Sequence, residues 1–253
     1  MDNNKVVYIQ QQDGNWLNDN CFAAAYGFGR MGYTIQPFEL ANAHELDIFE
    51  GCVVHGGIKG VSAALGSLDI PIPNSPSILT HLPDYVGRHS VEMTIGELAD
   101  GYIKGLLNDP LFIKPLENNK AFDGVVINNH LEFTNFNYLD DDYKVFVSEV
   151  VEFVTEYRCF VNRRAVVGAK NYTGDFTIAP NWDKVYKAVR DYDNQPISYS
   201  LDFGVTNDGE TLLIEINDCI GLGSYGLNPI VYCKLIRDRW NDLVKDKFNV
   251  ERT

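Results

Sequence analysis

The chain has 253 residues, 45% of them hydrophobic, which is enough to bury a substantial core in one large domain or in two closely joined lobes. It carries 21 basic and 35 acidic residues, for a formal net charge of −14, and no apolar stretch long enough to span a bilayer, so we expect neither nucleic acid nor a membrane as a partner. Its five cysteines are far apart and show no Cys-x-x-Cys spacing, which predicts no disulfide framework, no zinc site and a cytoplasmic location.

The first third of the chain alternates short strands with helices. Apolar runs predict strands at 6–9, 34–38 and 52–55, and helices at about 20–31 and 58–65. Three prolines in the segment that follows exclude both a helix and a central strand there. This pattern predicts a small open α/β unit, and we place a lobe boundary between Pro76 and Val91.

A helix and two lysine-bearing segments come next. Thr94 and Glu97 have capping-box spacing, and the apolar stripe behind them, which reaches Leu107, predicts a helix that ends before Pro110. Lys114 then lies inside an apolar strand at 111–115, where burial is costly unless an anion meets the charge. Lys120 lies in the polar loop before the next strand. The alternatives are that Lys114 reaches out to water and that Lys120 is simply solvated.

The strand at 143–151 ends in a connection that begins at Glu149. Such a passage can present backbone groups to the edge of a purine, with apolar neighbours on its faces. It includes Val150 and Val151.

A hairpin at 156–170 carries the next buried-looking cation. Arg158 lies in its first strand, and Lys170 ends its second. The alternative for Arg158 is a structural salt bridge with Glu156 or Glu152.

The last hairpin carries two acids and an amide. Asn-Asp-Gly between two β-branched runs predicts a tight turn. Glu215 and Asn217 face the same way because side chains alternate along a strand, and Asp202 is expected opposite them. Two carboxylates and an amide oxygen suit Mg²⁺. The alternative is that all three lie on the solvated face of the hairpin.

The order of these residues, more than any one of them, is informative. It resembles the ATP-grasp superfamily, and within it the clade named for one arginine and two lysines, over residues 94–240. The matching segments are FIKP at 112–115, KAFDG at 120–124, SEVV at 148–151, EYRCFV at 156–161, DFGV at 202–205 and LIEIND at 213–218.

The resemblance implies a fold and a set of roles. Two α+β lobes would clasp ATP, preceded by a small open α/β domain at 1–90. The catalytic region would cover 91–253, divided into a central lobe at 91–150 and a C-terminal lobe at 151–253. The implied ATP-phosphate contacts are Lys114 and Lys120, with Lys170 as a lesser candidate; the adenine and ribose site is Glu149, Val150 and Val151; the catalytic residues are Arg158 and Lys120; and the Mg²⁺ ligands are Asp202, Glu215 and Asn217.

The chemistry implied by the resemblance is ATP- and Mg²⁺-dependent formation of an amide from a carboxylate and an amine through an acylphosphate. The substrates would be small molecules, a peptide or a protein, and the residues indicate no oligomeric state. Two alternatives are a nucleotide-binding module without catalysis and a phosphotransferase with a hydroxyl acceptor. Keeping the full set of cations and acids favours the enzyme.

Overall fold

The computed structural model describes residues 5–74, 76–107, 110–116 and 121–249. Within these ranges the chain forms three four-stranded sheets.

The first sheet is built by the first third of the chain. Its central strand pairs in parallel with two others and antiparallel with a short fourth strand, so the predicted open α/β unit is confirmed as local structure. The elements are β1 (Val6–Gln12), β2 (Asn15–Trp16), α1 (Asp19–Arg30), β3 (Thr34–Glu39), a 3₁₀ helix (Leu40–Glu45), β4 (Val53–His55) and α2 (Ile58–Gly66).

The second sheet is entirely antiparallel, and its strands lie side by side in the order Ser90–Thr94, Lys144–Glu149, Leu111–Pro115, Val125–Ile127. A short helix and a 3₁₀ helix precede this sheet in the chain. A second helix, which begins with the predicted capping box, follows its first strand. Its elements are α3 (Ile78–His81), a 3₁₀ helix (Pro83–Tyr85), β5 (Ser90–Thr94), α4 (Ile95–Ile103), β6 (Leu111–Pro115), β7 (Val125–Ile127), a 3₁₀ helix (His130–Phe136) and β8 (Lys144–Glu149).

The capping box is confirmed, but α4 is shorter than its apolar stripe suggested. Thr94 and Glu97 exchange both hydrogen bonds of the box. The helix ends at Ile103, and Gly105 follows with a φ of +67°, a conformation that turns the chain out of the helix at little cost only for glycine. Leu106 therefore lies beyond the helix and is exposed.

The third sheet is also antiparallel, and its strands lie side by side in the order Ala165–Gly174, Phe153–Asn162, Ser198–Thr206, Thr211–Asp218. The turn of the last hairpin is confirmed, and Gly209 has a φ of +85° there. The elements are β9 (Phe153–Asn162), β10 (Ala165–Gly174), α5 (Trp182–Asp191), β11 (Ser198–Thr206), β12 (Thr211–Asp218) and α6 (Pro229–Asn249).

The long helix α6 returns to the first sheet. Its residues Tyr232, Cys233 and Trp240 belong to the same buried cluster as β1, β4 and α1, and this cluster also includes Phe160 of β9. The core of the second sheet is a separate cluster built around Leu98, Ile113 and Val145. The division at residues 90 and 150 stays a prediction.

All five cysteines are free and buried. Among the described residues, no helix combines the length and the apolar character needed to cross a membrane.

His55, at the end of β4, is a neutral histidine inside the first core. It is 2% exposed, and among the described residues its Nε2 has no hydrogen-bond partner. Burial lowers the pKa of His55 from 6.5 to about 4, against a smaller opposing effect of a hydrogen bond with the Asn20 backbone.

This burial predicts a pH-dependent stability. Between the two pKa values the unfolded chain binds a proton on His55 that the folded protein excludes, so the free energy of unfolding falls as the pH falls below about 6.5. From about pH 7 to about pH 5 the loss is about 2 kcal/mol. We expect His55→Gln to remove this part of the pH dependence in urea unfolding. His44→Gln, at an exposed histidine, should follow the wild type, and an unchanged pH dependence in His55→Gln would contradict the prediction.

Candidate active site

One row of four ionisable side chains crosses the third sheet. Lys170 pairs with Arg158, and Arg158 pairs with Asp202. Asp202 in turn pairs with Glu215, so the predicted register of the last hairpin is confirmed. Directly opposite residues of antiparallel strands project from the same face of a sheet. Two cations and two carboxylates therefore lie next to one another across four strands.

Arg158 and Asp202 form a bidentate ion pair in the middle of this row. Nε donates to Oδ1 over 2.9 Å and Nη2 donates to Oδ2 over 2.6 Å, and both side chains are buried. Burial alone would lower the pKa of Arg158, but the hydrogen bonds and the charge of Asp202 raise it above its ordinary value. The alternative partners Glu156 and Glu152 were wrong, because β11 lies beside β9 and places Asp202 directly against the guanidinium.

The ring of Tyr225 covers the same guanidinium, and a second aromatic ring stacks on it. The Cζ atom of Arg158 lies 4.8 Å from the centroid of the Tyr225 ring, a cation–π contact. Tyr225 stacks on Tyr172 with centroids 5.1 Å apart, and the Tyr172 hydroxyl donates to Glu156. Tyr225 belongs to the glycine-rich loop after β12, whose Ser224 bonds through its backbone N–H and its hydroxyl to Asn20 of α1. The loop therefore joins the first sheet to the charged row.

Asn217 lies next to the row, between its acids and its arginine. Its amide nitrogen lies 3.4 Å from Oδ2 of Asp202. With its amide rotated it donates to Glu215 over 2.5 Å and accepts from Nη2 of Arg158 over 3.2 Å. The structure thus brings together all three residues that the sequence predicted as metal ligands, together with an arginine.

Lys114 reaches this group from the second sheet. Its Nζ donates to the backbone oxygen of Ile214 over 3.2 Å and lies 3.9 Å from Oε2 of Glu215. It also lies 5.5 Å from the centroid of the Phe146 ring, and its side chain is only 19% exposed. The alternative that this lysine extends to water was therefore wrong.

Arg88 is a further cation in this region that the sequence did not reveal. Its Nη1 donates to the backbone oxygens of Val86 and Leu213, and its Nε donates to Ser148. Burial lowers the pKa of Arg88 to about 10. It lies between Gly87 and His89, in a stretch without periodicity, and only the fold brings it to β12.

The segment predicted to hold adenine connects the second and third sheets. Glu149 ends β8, and its backbone N–H and its carboxylate bond to the backbone of His89 over 3.1 and 3.2 Å. Glu149 and Val150 are exposed, and β9 begins three residues after Val150. The adenine role of this segment stays a prediction.

Of the two remaining predicted lysines, only Lys170 lies among the described residues. Lys120 lies outside the described residues. Lys170 lies at the end of the charged row, opposite Arg158.

A cavity of about 450 Å³ borders the charged row. It is lined by Arg158, Glu215 and Asn217 of the third sheet, and by Lys114 of the second. Ile58, at the start of α2, brings the first part of the chain to the same cavity. Glu149, Val150 and Val151 are not among its lining residues.

Among the described residues, no three His, Cys, Asp or Glu side chains are gathered so that they could hold a metal ion. The predicted site has only two acids, and its third donor is an amide. Glu215 has a side chain that is 35% exposed, whereas the side chain of Asp202 is 3% exposed and engaged by Arg158.

The chain is similar in sequence to a known family of domains. A family model for the ATP-grasp domain, family 2 of the clade named for one arginine and two lysines, matches residues 85–235. No curated protein sequence matches the chain.

Solved structures resemble nearly the whole chain. D-cycloserine synthetase DcsG is 11% identical, with 93% of this chain and 99% of that chain covered and a TM-score of 0.62. D-alanine–D-alanine ligase from Bacillus anthracis, complexed with ATP, is 16% identical over 95% and 97% of the two chains, with a TM-score of 0.54. N5-carboxyaminoimidazole synthetase from Staphylococcus aureus is 11% identical over 97% and 86%, also with a TM-score of 0.54. At identities of 11–16%, these similarities show a shared fold and nothing more.

Proposed function

Because the chain belongs to the ATP-grasp domains of the one-arginine, two-lysine clade, we propose that it is an ATP-dependent ligase that joins a carboxylate to an amine. Membership confirms the resemblance and the ATP-grasp fold predicted from the order of cations and acids. We also propose that residues 1–90 form a small domain that precedes the catalytic region, and we propose the substrates named below.

One observation carries the proposal: cations from two sheets converge on the acids of the last hairpin beside one cavity. Lys114 approaches from the second sheet, and Arg158 and Glu215 lie on the third. Phosphoryl transfer involves little covalent work for the protein, which instead positions the reactants and stabilises charge that spreads over the phosphoryl oxygens. Convergent cations next to carboxylates provide such an environment.

We propose for the individual residues the roles that the resemblance implies. Lys114 binds the phosphates of ATP, with Lys120 as a second contact. Glu149, Val150 and Val151 hold the adenine and ribose. Arg158 stabilises the transferring phosphoryl group, since its guanidinium borders the cavity. Lys170 is a lesser candidate for the same phosphates.

The donor set of the last hairpin fits a hard divalent cation. Glu215 and Asn217 offer a carboxylate and an amide oxygen at the cavity, and Asp202 offers a second carboxylate directly opposite Glu215, a set that suits Mg²⁺. Bound there, Mg²⁺ would neutralise phosphate charge and so favour attack on the γ-phosphorus.

The proposed reaction has two steps. A carboxylate oxygen of the acid attacks the γ-phosphorus of ATP, and the bond to the bridging oxygen of ADP breaks. The amine then attacks the acyl carbon, inorganic phosphate leaves, and the nitrogen loses a proton. In both steps Arg158 and Lys114 stabilise negative charge on oxygen.

The fold neighbours support this proposal in general terms. A ligase crystallised with ATP and a synthetase share the fold over most of both chains. We propose the same class of activity for this chain, with small molecules or a peptide as acid and amine. Product analysis is the direct test: an amide and free phosphate support a ligase, whereas a stable phosphorylated product would indicate a phosphotransferase.

Glu215→Gln should weaken Mg²⁺-dependent binding of a nonhydrolysable ATP analogue about tenfold or more, because a carboxylate ligand is replaced by a neutral amide. Calorimetric titration with and without Mg²⁺ measures this. Without Mg²⁺ the variant should bind like the wild type.

The matched control is Glu210→Gln, at an exposed acid in the turn of the same hairpin. It should not change the affinity at either condition. Equal Mg²⁺ dependence in Glu215→Gln and the wild type would refute the metal role of Glu215.

Lys114→Ala should lower the affinity for the same analogue about tenfold to a hundredfold, the usual effect of losing a hydrogen bond to a charged group. Lys104→Ala, at an exposed lysine of the same lobe, serves as the control. Unchanged affinity in a folded Lys114→Ala protein would refute the phosphate role and favour a structural role for this lysine.

A further inference from the structure

A basic surface lies where the hairpin of β9 and β10 turns beside α6, on a chain whose formal net charge is −14. The two residues that connect the strands of this hairpin are Arg163 and Arg164. Lys234 and Arg237 lie one turn apart on α6 and therefore on one side of that helix. These four residues are called the basic surface below.

A shared buried acid joins the turn to the helix. Oδ2 of Asp238 accepts from Nε of Arg163 over 2.9 Å, and its Oδ1 accepts from Nη2 of Arg237 over 2.7 Å. Burial alone would raise the pKa of Asp238, but hydrogen bonds from the two arginines and from Asn162 lower it below its ordinary value. The acid therefore stays charged and holds the two guanidinium groups side by side.

The positive charge of the basic surface exceeds what this one acid needs. Among the residues that the structure describes, neither Arg164 nor Lys234 forms an ion pair, and Nη2 of Arg164 donates to the backbone oxygen of Arg190 over 3.1 Å. Both side chains are exposed, and that of Arg163 is 65% exposed in spite of its bond to Asp238. Four cations thus surround one buried carboxylate, which leaves positive charge facing the solvent.

The residues of the turn are not those that its backbone favours. Arg163 has a φ of +50° and Arg164 has a φ of +65°. A two-residue hairpin turn with positive φ at both positions favours Asn and Gly, because residues with larger side chains are strained in this conformation. Strained backbone of this kind clusters at functional sites. The two arginines therefore indicate that the charge at this turn has a use.

The arrangement of the cations indicates the chemistry of the partner. The point where Arg163 and Arg237 converge is already occupied by the carboxylate of Asp238, so a single small anion would meet a negative charge there. Arg164 and Lys234 lie on separate elements, and a partner that contacts both needs several negative groups spaced along a chain. The net charge of −14 disfavours nucleic acid, which binds to strongly basic proteins.

We infer that the basic surface binds an acidic segment of a polypeptide. The surface is separate from the cavity, because none of its four residues lines the cavity. Arg163 follows Arg158 by five residues, a distance of about 17 Å at the rise of an antiparallel strand. For a ligase that modifies a peptide, a segment bound here would keep the rest of the peptide near the cavity. This tethering of a substrate rests on the proposed function, whereas binding of the acidic segment does not.

The test uses a fluorescein-labelled oligoglutamate peptide as the probe, with fluorescence anisotropy as the readout and no ATP present. The wild type should bind the peptide, and the affinity should fall as salt is added, because exposed charges are screened. Arg164→Gln combined with Lys234→Gln should weaken binding about tenfold or more. Neither substitution breaks an ion pair among the described residues, so the double variant should fold, which its thermal unfolding checks.

The matched control is Lys104→Gln combined with Lys187→Gln, at two exposed lysines outside the basic surface. It changes the net charge of the chain by the same amount and should bind the peptide like the wild type. Equal losses in the two double variants would overturn the inference, because net charge alone would then explain binding. A wild type that does not bind oligoglutamate would overturn it as well.

Two competitors test the chemistry of the partner. Free glutamate at the same concentration of carboxylate should not displace the peptide, and a single-stranded oligonucleotide of equal charge should bind more weakly than the peptide does. Displacement by free glutamate, or tighter binding of the oligonucleotide, would overturn the inference. Both double variants should bind the nonhydrolysable ATP analogue like the wild type. A wild type that binds the peptide but no analogue would overturn the proposed function and support the acidic-segment site alone.

Discussion

The bidentate bond between Arg158 and Asp202 is the contact on which the rest of the site depends. It buries a cation and an anion in the middle of a sheet, where each is tolerated only because of the other. Losing one partner of such a pair typically costs about 3–5 kcal/mol, because the remaining charge is left uncompensated. The Tyr225 ring packs on the guanidinium, and the Asn217 amide lies against both partners. The glycine-rich loop and the last hairpin therefore both pack around this ion pair.

The features that could be predicted from the sequence are those that depend on a few neighbouring residues. The turn of the last hairpin, the capping box at Thr94 and the alternation that sets Glu215 and Asn217 on one face are properties of a few adjacent residues, and the structure has them. The partner of Arg158 was not local. It depended on β11 inserting between β9 and β12, a strand order that no short segment specifies.

The cations between the sheets show the same limit. Lys114 attracted notice because a lysine in an apolar strand is costly, but its acceptor, a backbone oxygen of β12 one hundred residues away, left no trace in the sequence. Arg88 lacked even that signal and has a similar acceptor, the neighbouring backbone oxygen of Leu213. Both buried cations donate to backbone carbonyl oxygens. Because every residue has a carbonyl group, the pattern of side chains does not show which residue accepts the bond.

The second sheet packs on two different sides. Ile113, Val145 and Val147 belong to its own hydrophobic cluster, whereas Phe146 lies in a cluster with residues of the third sheet, among them Leu201 and Leu213. Because side chains alternate along a strand, β8 contributes to both clusters. The two sheets are therefore joined by shared packing, and a cavity left by shortening Phe146 would open against the strands that carry Arg158 and Asp202.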